Sequence, residues 1–421
     1  MRIWLTQTTE PYPFLHESAP MRTTILADEL VRRGHEVTWW GSNIEHRRKQ
    51  PLVAGIYTIA PGYTVRLLPV PAYTRNISWR RYRGYKSLAR SFLQEAPSLP
   101  PPDIVLTGLP AHDLTYAAVR FANQRGIPSL VDVQDLWPDS FLELLPRGLR
   151  SLGRVGLFED FRRARFALTN ASGIIGISNT YLEWGRSKAQ RSARKEDGIF
   201  YLGSNPLRTR QSTSSESVFP DSPSSDRIVF GFLGVFGHTY DLQTILSAAR
   251  LLANRGEHRA HFALAGTGDF AARLASQANG LPNVSFPGWL NAEEVESFLH
   301  RLDVGLATYA KGAPQSLPNK PFQYLAAGKP IISSLPGELR EILETSEAGL
   351  NYTAGDPESL AAAVLEFINS PTQIASMGQN AYSLFRSKFN AETIYPQMVD
   401  HLEQVYAQNS ATNKHPRRPQ R

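Results

Sequence analysis

The chain has 421 residues, 42% of them hydrophobic and 20% charged, with a mean hydropathy of −0.30. That length exceeds one comfortable core, so two domains are expected, and no apolar run approaches the ~20 residues of a membrane-spanning helix. The absence of cysteine excludes disulfides, thiol catalysis and cysteine-ligated metal, while a formal net charge of +7 points to an anionic partner.

The opening residues, Met1-Arg2-Ile3-Trp4-Leu5-Thr6, supply one short strand and then turn polar. They do not form a secretory signal, and a cytoplasmic protein fits best. Further strands are expected at Glu36 to Trp40, Val65 to Pro69, Ile104 to Thr107, Ser129 to Val133, Gly173 to Ile177 and Ile199 to Leu202. Between the first two, a helix from Met21 to Arg33 places Met21, Ile25, Leu26 and Leu30 near one side and stops at Gly34. Short apolar strands alternating with amphipathic helices are the pattern of a parallel sheet covered on both faces.

Four segments of this half are candidates for chemistry. His16 and Glu17 lie in the loop after the first strand, a cleft-facing position for which a solvated loop is the plainer reading. Trp79-Arg80-Arg81-Tyr82-Arg83-Gly84-Tyr85-Lys86 and the run from Arg147 to Arg165 are basic, the first with aromatic residues interleaved. Such a segment suits an anionic membrane surface, single-stranded nucleic acid or a solvated face. No nucleic-acid module accompanies it, so no nucleic-acid partner is expected. Asp135 follows a buried strand and precedes Trp137-Pro138; it would meet a ligand beyond the strand end or cap the next turn.

Residues from about Leu207 to Arg227 are Ser/Pro-rich and have little to bury, as in a linker. A second series of strands follows: Val229 to Leu233, His261 to Ala265, Val284 to Phe286, Val304 to Ala307, Ile331 to Ser334 and Leu350 to Tyr352. The pattern supports two α/β units facing each other across a cleft. Leu233-Gly234-Val235-Phe236-Gly237-His238 and Leu264-Ala265-Gly266-Thr267-Gly268 are glycine turns at strand ends. There the backbone can approach a phosphate, or simply turn tightly.

The most informative stretch runs from Leu317 to Ile332. Pro318 and Asn319 form a loop, Pro321 suits the first turn of a short helix, Gly328 ends it, and Pro330 cannot continue it. A helix start attracts phosphate through unpaired N–H groups and partial positive charge. Lys320 adds a full charge there, and Gln323 a polar side chain one turn on. The parts suit a nucleotide diphosphate.

This block resembles the donor-site signature of family-4 glycosyltransferases of the GT-B fold, in the bacterial surface-polysaccharide branch that reads P-[NS]-K-x-[FY]-E-Y-[LM]-A-A-G-x-P. The resemblance extends along the chain through Pro20 to Trp40, Val131 to Asp139 (D-x-[RH]-D-L-W-P in the family) and the Ala354-Gly355-Asp356-Pro357-Glu358-Ser359-Leu360 loop. It implies two Rossmann-like domains: an acceptor-binding domain over residues 1–206, a linker over 207–227 and a nucleotide-sugar domain over 228–390. A helix over 391–408 would return to the first domain, leaving a disordered basic tail over 409–421.

The resemblance also assigns roles. Lys320 and Asp135 would be catalytic. Gly237, Gly266, Gly268, Trp289, Leu290, Pro318, Asn319 and Gln323 would hold the donor, and His16 and Arg22 would belong to an acceptor or cleft loop of the first domain. Three departures stand out. The loop from Gly234 to Gln243 lacks the Arg and Lys that clamp diphosphate in many members, and Gln315 and Gln323 replace two family glutamates. The implied activity is retaining, metal-independent hexosyl transfer from a nucleotide-diphosphate sugar to a saccharide or lipid-linked acceptor, without a cofactor. Consistent with that, the chain has no D-x-D, H-E-x-x-H, G-x-S-x-G or phosphate-loop signature. A nucleotide-sugar epimerase of the same shape and a non-catalytic nucleotide-sugar-binding partner remain open alternatives.

Overall fold

Runs of four to seven apolar residues bury completely once helices cover both faces of a sheet, and this chain builds two such sheets. The computed structural model describes residues 1–15, 20–75, 78–143, 145–207, 226–313 and 315–414. The described chain divides into one unit of Met1–Tyr201 with Tyr395–Arg421, and a second of Leu202–Ile394.

In the first unit the eight-stranded sheet runs, in spatial order, Gly198–Ile199, Gly173–Gly176, Ser129–Val133, Ile104–Leu109, Arg2–Thr6, Glu36–Ser42, Tyr63–Leu68 and Gly55–Ala60. All pairings are parallel except the last, where Gly55–Ala60 runs antiparallel to Tyr63–Leu68. That edge strand was not expected, because its side chains are largely exposed (Ile56 is 58% exposed) and carry no buried-strand pattern. The expected strand Ile199 to Leu202 shortens to Gly198–Ile199. Trp4, Trp40, Phe92 and Phe121 pack ring against ring beneath the sheet.

The second unit has a six-stranded, wholly parallel sheet in the order Val284–Gly288, Ala260–Ala265, Ile228–Leu233, Val304–Ala307, Ile331–Ser333 and Gly349–Asn351. Phe230, Phe232 and Phe262 pack with Leu242, Ile245 and Leu246 of the helix Leu242–Asn254 and Val364 and Phe367 of Pro357–Asn369. The chain builds outward from Ile228–Leu233 in one direction, then returns to lay Val304–Ala307 on its other side. A parallel sheet of this kind binds ligands beyond the strand ends at that reversal.

The final helix, Ala391–Lys414, joins the first unit from Tyr395 onward. Arg33 bonds Asp400 at 2.5 Å, His35 bonds Glu403 at 2.8 Å, and His401 Nε2 lies 3.0 Å from the Glu196 carbonyl. The segment from Asn409, expected to be a disordered tail, is therefore helical as far as Lys414; residues 415–421 lie outside the described residues, as do 208–225 of the expected linker. Among the described residues no helix is long and apolar enough to cross a membrane.

Candidate functional site

Beyond the strand ends of the second unit, two glycine turns interlock. Gly234 donates its N–H to Ala265 and Phe236 donates to Thr267, both at 2.9 Å. Gly266 and Gly268 take φ values of +139° and +154°, and a side chain at Gly266 would overlap the Gly234 carbonyl. Only glycine satisfies both the backbone angle and the contact. The N–H of Gly237 is donated to Val235 at 3.1 Å. A tight turn thus uses the Gly237 donor internally, so a phosphate beside Gly237 would be met by neighbouring amides.

The helix Asn319–Ala326 begins against these turns, with Pro318 as N-cap and no capping side chain. Lys320 reaches from its first turn to Gly234, where a Cβ would fall 1.5 Å from Nζ. Its ammonium lies 3.8 Å from the Tyr240 ring centroid and 4.9 Å from that of Phe232. Nζ is buried and has no hydrogen-bond partner among the described residues. Burial pushes Lys320 down to about 8. Ring faces attract a cation but supply no counter-charge, so this ammonium is poorly satisfied until an anion arrives.

Tyr240 and Phe232 are the residues that sequence reasoning missed here. The aromatic density of Phe230 to Tyr240 was the available signal, but a buried-strand pattern accounts for it equally. Tyr324, one turn after Lys320, takes the Leu233 N–H at 2.9 Å and so ties the helix to the strand before Gly234. Asp241 caps the next helix through Thr244 and accepts from the Gly355 N–H at 2.7 Å, anchoring the loop that precedes Pro357–Asn369.

Gln315 lies close in sequence to this helix, and its Oε1 is buried without a partner among the described residues. Gln323 is half-buried, Asn319 exposed, and Pro318 and Leu290 half-buried. Trp289, at the end of strand Val284–Gly288, is 71% exposed. The structure thus gathers Lys320, Pro318, Asn319 and the turns at Gly234, Gly266 and Gly268 at the strand ends of one sheet.

Two family models match most of the chain: "Glycosyl transferases group 1" over residues 227–370 and "Glycosyl transferase 4-like domain" over residues 20–194. The chain belongs to the group 1 glycosyl transferases. It is 26% identical over 170 residues to the amylovoran biosynthesis glycosyltransferase AmsK of Erwinia amylovora, a match spanning 39% of this chain and 42% of that protein. Its fold is GT-B. A sucrose-phosphate synthase from Thermosynechococcus elongatus superposes with a TM-score of 0.69 at 16% identity, over 97% of this chain and all of the other. HepE of Anabaena, solved in complex with UDP-glucose, gives 0.59 at 15% identity over 96% and 100% of the two chains.

In this glycosyl transferase the first unit arranges its expected residues differently. Arg22 opens the helix Arg22–Arg32 and was expected to line a cleft loop as a supply of positive charge. It is instead 3% exposed and spent internally: Nε and Nη2 donate to Asp132 at 2.8 and 3.1 Å, and Nη1 donates to the Phe200 and Tyr201 carbonyls. Burial opposes the guanidinium charge, but Asp132 outweighs it and holds Arg22 above its ordinary value. Glu10, next to this pair, accepts the Thr23 N–H at 2.7 Å; burial pushes its carboxyl up to about 7. Glu10 did not stand out in the sequence, and Asp132 appeared only as the first aspartate of the D-x-[RH]-D-L-W-P block, with no role given to it.

Asp135 lies two residues past the strand Ser129–Val133, accepts from Ser140 at 3.2 Å, and burial raises its carboxyl above the usual range. His16 lies outside the described residues. A further buried group, His112, Asp113 and Asp160, has ligand atoms close enough for a metal. His112 Nε2 already bonds Asp160 at 2.6 Å and Arg163 pairs with Asp113, while His112 Nδ1 and Asp113 Oδ2 have no hydrogen-bond partner among the described residues.

The glycine contacts make two substitutions diverge. Gly234→Ala meets the flexible end of Lys320 and, at 3.3 Å, the edge of the Phe232 ring, so the protein is expected to stay folded, losing about 1–3 kcal/mol of stability through backbone strain. Gly266→Ala meets backbone at 1.7 Å and is expected to disrupt the turn itself. Thermal melts of both variants check the contrast.

Proposed function

We propose that this glycosyl transferase moves a hexose-type sugar, with retention of anomeric configuration and without a metal, from a nucleotide-diphosphate sugar to a saccharide or lipid-linked saccharide in cell-surface polysaccharide synthesis. The observation that carries the reading is the Lys320 ammonium, buried without a hydrogen-bond partner at an uncapped helix start beside interlocked glycine turns. Breaking the anomeric C–O bond leaves its electron pair on the departing diphosphate. A cation already in place, in a site of low dielectric, stabilises that charge most where it is largest and so lowers the barrier. The amylovoran enzyme and the UDP-glucose complex of HepE support the polysaccharide and donor parts of this reading.

Asp135 is assigned to an acceptor or donor sugar hydroxyl, because its raised carboxyl sits beyond a strand end. The direct test is a thermal-shift screen against UDP-, GDP- and ADP-sugars, followed by product analysis with and without saccharide acceptors. Stabilisation by one nucleotide sugar with acceptor-dependent release of its diphosphate supports transfer. Acceptor-independent conversion of the donor sugar would indicate an epimerase. The Gln315 and Gln323 positions favour a second reading, a non-catalytic nucleotide-sugar-binding partner, which would bind donor and never cleave it.

The first unit supports an acceptor at the inner face of a membrane, with the protein peripheral to it. Trp79 is 63% exposed beside Arg80, Arg81 and Arg83 on the helix Trp79–Glu95. Binding to anionic vesicles is expected to weaken with salt and to fall about fivefold per charge removed when these arginines are neutralised one at a time, from roughly 1 kcal/mol each. Co-sedimentation at two ionic strengths reads this; binding that ignores both salt and the substitutions would rule the surface out.

A further inference from the structure

Among the cavities of the first unit, one combines ring carbon with nearby positive charge. Between the helix Trp79–Glu95 and the short helix Arg150–Gly156 lies a groove of about 460 Å³. Trp79, Tyr82, Trp137 and Phe141 line it with ring carbon, and Gly153 and Gly156 leave room beside them. That volume lies within the ~300–1,000 Å³ typical of small-molecule sites. Its surroundings are unusual for a water-facing surface: Leu149, Leu152, Val155 and Phe158 are 50–72% exposed along one short stretch. Contiguous exposed apolar residues of this size mark an interaction surface.

Charge defines the ligand further. From Trp79 to Arg90 there are five basic residues and no acidic one, and from Arg147 to Phe158 three and none. Two of these cations lie on the rings around the groove: Lys86 Nζ is 4.3 Å from the Tyr82 centroid, and the Arg83 guanidinium is 5.4 Å from that of Trp79. A ligand that satisfies both features has a hydrocarbon body and an anionic head. A flat bilayer would satisfy the exposed Leu and Val side chains but would leave a concave, ring-lined trough unfilled.

We propose that this groove binds one single-chain lipid phosphate, with the chain against Trp79, Tyr82, Trp137 and Phe141 and the phosphate beside Lys86 and Arg83. The proposal rests on the reading of a lipid-linked acceptor and gives that acceptor a seat for its lipid end. It separates two functions of the basic helix, since exposed residues meet the membrane while the trough selects a single molecule from it.

The test titrates decyl phosphate, kept below its critical micelle concentration, into the full chain by calorimetry. Inorganic phosphate and the neutral decyl maltoside serve as controls. Saturable binding at one site, at least tenfold tighter than either control, is expected. Gly156→Trp should lower decyl phosphate affinity tenfold or more by filling the trough; a Cβ there meets nothing within 4 Å, and an unchanged melting temperature checks that the fold is kept. Trp79→Ala, which removes an exposed wall, serves as the second variant and should lower affinity threefold or more. UDP affinity, measured on the same samples, should not move in either. No saturable binding, or equal affinity in both variants and the wild type, would overturn the proposal, as would vesicle binding without decyl phosphate binding. A wild type that fails to bind UDP would instead count against the donor reading and leave the groove result standing.

Discussion

Arg22→Met is expected to destabilise the first unit by about 3–5 kcal/mol, because it strands the Asp132 carboxylate in a buried site without its cation. Asp132 is 3% exposed, and its bonds to Arg22 at 2.8 and 3.1 Å are bidentate. The same guanidinium also holds the Phe200 and Tyr201 carbonyls at the end of the sheet. For a unit of this size each kcal/mol corresponds to about 2–4 °C in Tm, so a loss of roughly 10 °C is expected by calorimetry. Asp132→Leu added to Arg22→Met should recover part of that loss, since apolar packing can replace a buried ion pair at little cost. A single variant that melts with the wild type would show that Arg22 is not a strut.

The second large effect concerns chemistry. Lys320→Met preserves most of the side-chain volume and the contacts with Tyr240 and Phe232 while removing the charge. Loss of one preorganised group that stabilises a developing anion costs about 10²–10³ in kcat, and that fall is expected for sugar transfer. Stability should rise slightly, because an ammonium held without a hydrogen bond in a buried seat opposes folding. A slower enzyme that is no less stable separates a catalytic role from a structural one. Activity and melting temperature measured on one preparation decide between them.

Much of this was legible in residue order. Gly34, Gly328 and Pro330 end their elements where chain-breaking residues should, and the alternation of apolar strands gave both parallel sheets. The helix at Lys320 could be placed from Pro318, Pro321 and Gly328 alone. Two kinds of information were not legible. The edge strand Gly55–Ala60 has one pairing partner and little burial, so it leaves no periodic signal. Long-range partnerships were also hidden: Arg22 and Asp132 are 110 positions apart, and nothing local distinguishes a guanidinium bound for the interior from one facing a ligand. The same limit applies to Tyr240, whose ring under the Lys320 ammonium is set by the sheet and not by its neighbours in sequence.

The charge state of Lys320 gives the account its sharpest consequence. Burial lowers this group to about 8, so below that pH the ammonium is charged and ready for a diphosphate. Above it the neutral amine dominates and the attraction is lost, while a bound diphosphate favours the charged form and draws a proton in. Calorimetric titration of UDP into the wild type and Lys320→Met, from pH 6.5 to 9.5, therefore tests the central claim most directly. Wild-type affinity should fall as pH rises through about 8, and Lys320→Met should bind weakly with no such dependence. Equal affinities with the same pH profile in both proteins would contradict it.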